Sequence, residues 1–553
     1  MDRSQAVASQ LRDWTGIQSP IFLLAVLSSA VLAALILRSR APKQPPWLPE
    51  TIPFVSNTYD FVINQKRFLE RSGRLLEKNS IIRFNLGTVP VYLIVGARNI
   101  QTLFKPSTKI GSEALMTEII FPMIIGMPKH EVDRFKGDVT GRAKNPNPGT
   151  ESTPAEQRLW HANHHIYTEY LARTKSTNRL TEIYHKNLVG KLDSHPVGEW
   201  VTLGLVDFCR NQMGKAATEA LFGPKIFELN PDLLEAFWDF EAAVGPLFRG
   251  VPSWWNPKPY RDRERYFGMV ENYLAAAFAN FDWSKRGELD WDPHFGAAVL
   301  REIAKWLKDE GFADRTAAAS IAQFVFAANA NTIPITSWCL MEAVHDPKLF
   351  KDLREEVQQA VVVDPETGKT SVDVAKLVAL PLLQSVYVET LRMHMSFNIV
   401  RAVNEPIAMD GYEIGKGSQI QAPMQLAHLD EAVWGVPEHP ASEFWAERHV
   451  KYVESKDEKG GTVWKREFVM AGRPSSFFPY GGGQPVCPGR HFSKQEIMLT
   501  LGLIIAKFNV EFVEWTKMDG SPSDRPAQDN ADYVGAEAMP PDRDMKVRWK
   551  KLW

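Results

Sequence analysis

The sequence predicts a mainly α protein with small β-sheets, preceded by an N-terminal transmembrane helix. Three observations predict it. An uncharged apolar run at residues 21–37 reads IFLLAVLSSAVLAALIL. Residues 80–96, SIIRFNLGTVPVYLIVG, alternate apolar and polar positions around Gly87 and Pro90, the pattern of a β-hairpin. Beyond them, most of the chain has helical periodicity with short breaks and no fixed-period repeat.

Composition narrows the classes. A formal net charge of -2 over 553 residues gives no reason to expect nucleic acid. Hydrophobic residues at 44% and aromatics at 11% fit a large folded core and exclude disorder. Cys209, Cys339 and Cys487 are too few for a disulfide framework, so the body is expected in a reducing compartment.

The run at 21–37, about 17 residues, is at the short end for a span. A cleaved signal peptide and a buried core helix are the alternatives. No small-x-small cleavage site follows, and Arg38 and Arg40 come at once. Arg38, Arg40 and Lys43 on one side, against Arg3 and Arg12 on the other, favour a cytosolic body. Pro45, Pro46 and Pro49 then make a stiff hinge. The expected organisation is a short lumenal tail at 1–20, the anchor at 21–37, a basic and proline-rich hinge at 38–50, and a catalytic body at 51–553.

Within the body, residues 119–127 form an apolar run with Phe121, Met123 and Ile124, which periodicity alone leaves as ordinary core. Residues 144–154, KNPNPGTESTP, read as an exposed loop. Trp160, His161, His164 and His165 follow on a helix. His161 and His165 share a face, so a metal pair is conceivable, but no acid is placed with them. Residues 246–259 form a proline-broken loop with Leu247, Phe248, Trp254 and Trp255. Its tryptophans suit either a bilayer surface or core packing.

Residues 477–492, FFPYGGGQPVCPGRHF, hold Cys487 in a glycine- and proline-rich turn just before a helix. Gly481, Gly482 and Gly483 allow tight curvature and close approach to a flat partner. A helix N-terminus beside the sulfur favours the thiolate. A zinc site fits poorly without a second cysteine at ligand spacing. One thiolate suggests an axial haem ligand; the plainer alternative is an incidental cysteine in a turn. Glu389 and Arg392, three apart in YVETLRMH, share a helix face, and surface ion pairing is the ordinary explanation. The segment at 321–340, IAQFVFAANANTIPITSWCL, reads as one long helix with small residues at Ala327, Ala328 and Ala330 and a kink at Pro334.

Tyr480, Gly483, Cys487 and Gly489 fit the aromatic-x-x-Gly-x-x-x-Cys-x-Gly pattern of the cytochrome P450 family, and the loop resembles that family's cysteine loop. Two departures stand out. The family usually has Phe where Tyr480 stands, and often an arginine for a haem propionate where Pro485 stands. The resemblance implies the cytochrome P450 fold, haem b with Cys487 as axial ligand, and a support cluster of Glu389, Arg392 and Arg448 beneath the haem loop. It places Arg401, Trp160 and His164 at the haem propionates, with Arg401 carrying more of the task because of Pro485. It puts the 119–127 region over the substrate pocket. At the central helix, Ala330 and Asn331 stand where the family has an acid and a threonine, leaving Asn331 and Thr332 to order water for proton delivery.

ANTIP resembles the subgroup of sterol side-ring hydroxylases and prostacyclin synthase, and PVCPGRHF resembles fungal secondary-metabolism members. The implied activity is a membrane-bound monooxygenase of the endoplasmic reticulum, acting on a lipophilic terpenoid, steroid or other secondary metabolite. Its partners would be membrane lipid and a separate NADPH-dependent cytochrome P450 reductase. A reductase-independent haem-thiolate isomerase or dehydratase acting on a peroxide is the second reading, since the acid and alcohol pair is missing. A non-enzymatic membrane haem-binding protein is the third.

Overall fold

The computed structural model describes residues 44–456, 460–470, 473 and 475–553. The anchor expected at 21–37, with Arg38, Arg40 and Lys43, lies outside the described residues. Among the described residues, no helix is long and apolar enough to cross a membrane.

β1 (Ile81–Leu86) and β2 (Val89–Ile94) form the expected hairpin, with Leu86 opposite Val89 and Gly87 at φ +58° in the turn. It belongs to a five-stranded sheet completed by β3 (Ile110–Gly111), β4 (Asn398–Val403) and β5 (Gln419–Pro423), in the order β1-β2-β5-β4-β3. The end of the expected hinge is docked rather than free. Arg83 donates its backbone N–H to Pro46 and accepts from Leu48, which is buried against the sheet. A second sheet joins Trp200–Gly204, Phe508–Thr516 and Asp544–Lys551, with the C-terminal strand in the middle.

Helices supply most of the body. α1 (Leu233–Phe248) and α2 (Lys258–Asn280) pack together, and Phe240 stacks on Tyr266 at 5.2 Å between ring centroids. Tyr266 Oη in turn donates to the Ala322 carbonyl, tying the pair to α3 (Asp314–Asn329). The long helix expected at 321–340 is two helices, α3 and α4 (Thr332–His345). The break at residues 330–331 falls one turn ahead of Pro334. Proline has no N–H to bond the carbonyl four residues back, and its ring crowds that carbonyl, which belongs to Ala330. α5 (Pro381–His394) and α6 (Arg490–Lys507) complete the centre. The second half of α6 is buried all round, so no polar stripe marks it.

Residues 116–125 wind as a π-helix that includes Pro122; Phe121, Ile124 and Ile125 are buried and Met123 faces outward. The proline-broken loop begins later than its sequence suggests. α1 runs through Pro246 to Phe248, so Leu247 is core. Trp254 and Trp255 are 80% and 75% exposed, so core packing does not apply to them.

Candidate active site

Glu389 and Arg392 lie on one face of α5 and are fully buried, not a surface pair. Arg392 donates through Nε and Nη2 to the two carboxylate oxygens of Glu389, both at 2.8 Å. Arg448 Nε reaches Glu389 Oε1 at 2.8 Å, so the three side chains meet. A fourth member had no motif to announce it: His449 Nε2 lies 3.2 Å from Glu389 Oε2. Burial alone would raise the Glu389 carboxyl, but Arg392, His449 and Arg448 together bring it down to about 2. The remaining guanidinium donors hold backbone carbonyls. Arg392 Nη1 bonds His428 and Ala441, and Arg448 Nη1 bonds Trp434.

His428 connects this cluster to the cysteine loop. Its carbonyl takes the Arg392 bond, and its ring Nε2 accepts the backbone N–H of Phe478 at 3.1 Å. The ring stacks on Phe477 at 5.3 Å. Burial pushes the His428 imidazole down to about 3, with Arg392 adding to the effect, so it stays neutral and can accept.

The loop then turns through Gly481 and Gly483, both at positive φ. Gly482 and Gly483 do make a close approach, but to Phe104. A Cβ on Gly482 would fall 2.4 Å from that ring, and one on Gly483 would fall 2.7 Å from its carbonyl oxygen. Tyr480 explains its own departure from Phe. Its hydroxyl bonds that of Tyr387 on α5, and its carbonyl accepts the Cys487 N–H at 3.0 Å.

Cys487 is largely enclosed by protein but keeps partial exposure. Burial raises its thiol. The amides of Gly489 and Arg490 and the charge of Arg490 work against that but do not win, so the helix start alone does not produce the thiolate expected from sequence. A metal bound at the sulfur would favour the thiolate. Cys209 and Cys339 are buried with thiols pushed up to about 12, unsuited to ligation.

Arg401, on β4, is 8% exposed and forms no ion pair among the described residues. It donates to the carbonyls of Val400 (2.9 Å) and Gly482 (3.2 Å). Burial pulls it down to about 10, opposed by Glu113 and assisted by the nearby Arg142. Sequence reasoning missed Arg142, which sits in a turn-rich stretch without a motif. It bonds Glu113 and lies 5.0 Å over the Trp160 ring. Trp160 departs from its expected part. Its indole N–H is spent on the Phe135 carbonyl at 3.0 Å and is not free for a ligand carboxylate. His164 is lowered by burial and then by Arg142, His161 and His165. Among the described residues no metal-binding cluster involves these histidines.

Asn331 and Thr332 sit at the helix break, but both are tied to neighbours. Asn331 Oδ1 accepts from the Ala538 N–H at 2.9 Å, and Thr332 Oγ1 lies 3.3 Å from Ser493 Oγ on α6. Thr332 thereby links α4 to the cysteine helix.

The donor set fits a haem: one partly exposed sulfur with two amides turned to it, and a buried arginine that forms no ion pair among the described residues. Comparison with known proteins agrees. The family model described as Cytochrome P450 matches residues 128–525. Cytochrome P450 monooxygenase calL of Penicillium decumbens is 44% identical over 476 residues, covering 86% of this chain and 87% of that protein. Cytochrome P450 monooxygenase fsoE of Humicola fuscoatra is 29% identical, with 78% and 76% covered. Cytochrome P450 7A1 of Sus scrofa is 28% identical, with 64% and 66% covered. The chain belongs to the cytochrome P450 family, and with it to the oxidoreductases.

Proposed function

We propose that this chain is a fungal-type haem-thiolate monooxygenase that oxidises a lipophilic secondary metabolite of terpenoid, steroid or similar class. Electrons come from a separate NADPH-dependent cytochrome P450 reductase, and the body faces the cytosol at the endoplasmic reticulum membrane. One observation carries the reading: the loop that presents Cys487 is held through His428 to the buried Glu389–Arg392–Arg448–His449 cluster.

Cys487 would hold the iron of haem b through its sulfur. Arg401, with Arg142 nearby and His164 next to Arg142, would hold the haem carboxylates in place of the arginine lacking at Pro485; charge-assisted donation suits that task. Bound haem supplies the activation of oxygen. The chain supplies position and dryness. Ala330 is only 2% exposed and offers no acid, and Asn331 has its carbonyl held by Ala538. Its amide N–H group is what remains to order a water, and an amide is a poor proton source. Protons therefore reach the site through water.

A carbon monoxide difference spectrum of the reduced protein tests the reading. A thiolate-type Soret band is expected, and Cys487→Ser abolishes it. Absence of that band from the wild type sinks the proposal.

The missing acid at Ala330 also favours a second reading, a haem-thiolate isomerase or dehydratase acting on a peroxide without delivered protons or electrons. Turnover that persists in full without oxygen and reductase would select it.

A further inference from the structure

The segment from residue 528 to 541 carries no long strand, yet its backbone is fixed at many points. Ser396 N–H donates to the Glu537 carbonyl (3.2 Å), Asn398 N–H to that of Gly535 (3.0 Å), and Gly535 N–H to Ser396 Oγ (3.1 Å). Ala538 is held by Asn331, and Met539 N–H donates to the His394 carbonyl (2.9 Å). Trp338 Nε1 donates to Met539 (2.9 Å). Glu537 is thus fixed at its backbone from both sides, beside the break between α3 and α4.

Its carboxyl is left over. Glu537 Oε2 is buried and has no hydrogen-bond partner among the described residues. The group lies deep in the protein, although a water-sized probe reaches part of the residue. Near it stands Glu241 of α1, 6% exposed, whose Oε2 accepts from Tyr533 Oη at 3.1 Å. One turn earlier on α1, Trp238 Nε1 is also buried without a partner, and the Arg210 guanidinium lies 4.4 Å over its ring. An unpaired carboxyl oxygen and a second carboxyl therefore meet where α1 faces the C-terminal segment.

The fold has no need of an acid here, because main-chain groups already hold the segment. Buried polar groups ordinarily find partners, and one that does not asks for another explanation. We propose that Glu537, backed by Glu241 and Tyr533, anchors a hydroxyl group on an otherwise apolar substrate, away from the carbon that is oxidised. This rests on the monooxygenase reading above.

The chemistry favours an alcohol. Burial, and then Glu241, push the Glu537 carboxyl well above the carboxylate range, which favours its neutral form. A protonated carboxyl both donates and accepts, which matches a hydroxyl. A substrate ammonium would first have to strip that proton.

The test uses the full-length haem-loaded protein, whose carbon monoxide band is checked first, so failure of the haem reading shows before any ligand is added. Dissociation constants for farnesol and farnesene, and for a 3-hydroxysterol and its 3-deoxy counterpart, are read from the shift of the haem absorption band. The wild type is expected to prefer the alcohol by at least about tenfold in one pair or both. Glu537→Leu is expected to erase that preference and leave hydrocarbon affinity unchanged. Glu537→Gln, nearly isosteric and still able to donate and accept, keeps part of it. An infrared carbonyl band absent from Glu537→Gln should shift with the preferred alcohol and not with its hydrocarbon, which serves if the leucine variant does not fold. No alcohol preference in either pair, full preference in Glu537→Leu, or an unmoved carbonyl band overturns the proposal. So does tighter binding of farnesoic acid than of farnesol, which would make Arg210 the anchor.

Discussion

His428 sits fully buried between the aromatic residues that open the cysteine loop and the arginine that anchors the cluster beneath it. His428→Leu leaves the Phe478 N–H without an acceptor, at a cost of about 1–3 kcal/mol. Its expected signature is faster haem loss in mild urea, with the thiolate band intact in what remains. Glu389→Gln is more severe, because it leaves Arg392 and Arg448 buried and under-compensated; about 3–5 kcal/mol is the scale for breaking such a pair. The pH dependence has a definite sign. Glu389 is lowered from 4.5 to about 2, so its stabilisation is present above pH 4.5 and lost as pH falls towards 2. His428 is lowered from 6.5 to about 3, so its share is present above pH 6.5 and lost as pH falls towards 3. Urea midpoints measured between pH 6.5 and 4.5 should therefore fall in the wild type and fall less in His428→Leu, with His449, also lowered, keeping a residual slope. Sequence motifs named Glu389, Arg392, Arg448 and Cys487. They could not name His449, His428 or Arg142, whose partners lie far along the chain and whose types carry no spacing rule.

At the level of elements, the break between α3 and α4 shows how a local rule reaches a distant segment. Pro334 opens the helix, the opened turn exposes the Asn331 side chain, and that side chain captures Ala538. Asn331→Leu leaves the Ala538 N–H unpaired, again about 1–3 kcal/mol. Hydrogen exchange should rise across residues 535–539 and stay unchanged in α6. The hairpin, the helix carrying Glu389 and the helix after Cys487 were legible from periodicity and turn residues. The exact place of the break and the π-helix at 116–125 were not, because both depend on where a proline's missing bond is absorbed. The reach of α1 through Pro246 was missed for a related reason: proline marks a probable stop, and packing of Leu247 overrode it.

For the whole molecule, the mainly α class and the family were legible from one loop and the order of its supporting motifs. Trp254 and Trp255 are strongly exposed, and Phe248, six residues before Trp254 in the chain, is 46% exposed. If this edge meets lipid, as the proposed membrane location requires, Trp254→Ser with Trp255→Ser should weaken sedimentation with phosphatidylcholine vesicles several-fold while leaving the carbon monoxide band unchanged. The placement of the last strand has a further consequence for how the protein is made. Residues 544–551 lie between strands from near residue 200 and near residue 510, and the stretch just before them locks onto the ends of α5 and α3. A ribosome that has delivered Cys487 and every member of the Glu389 cluster has still not delivered the centre of that sheet. Haem capture should therefore follow delivery of residues 544–551, and chains stalled at residue 527 should not retain haem that the full chain holds.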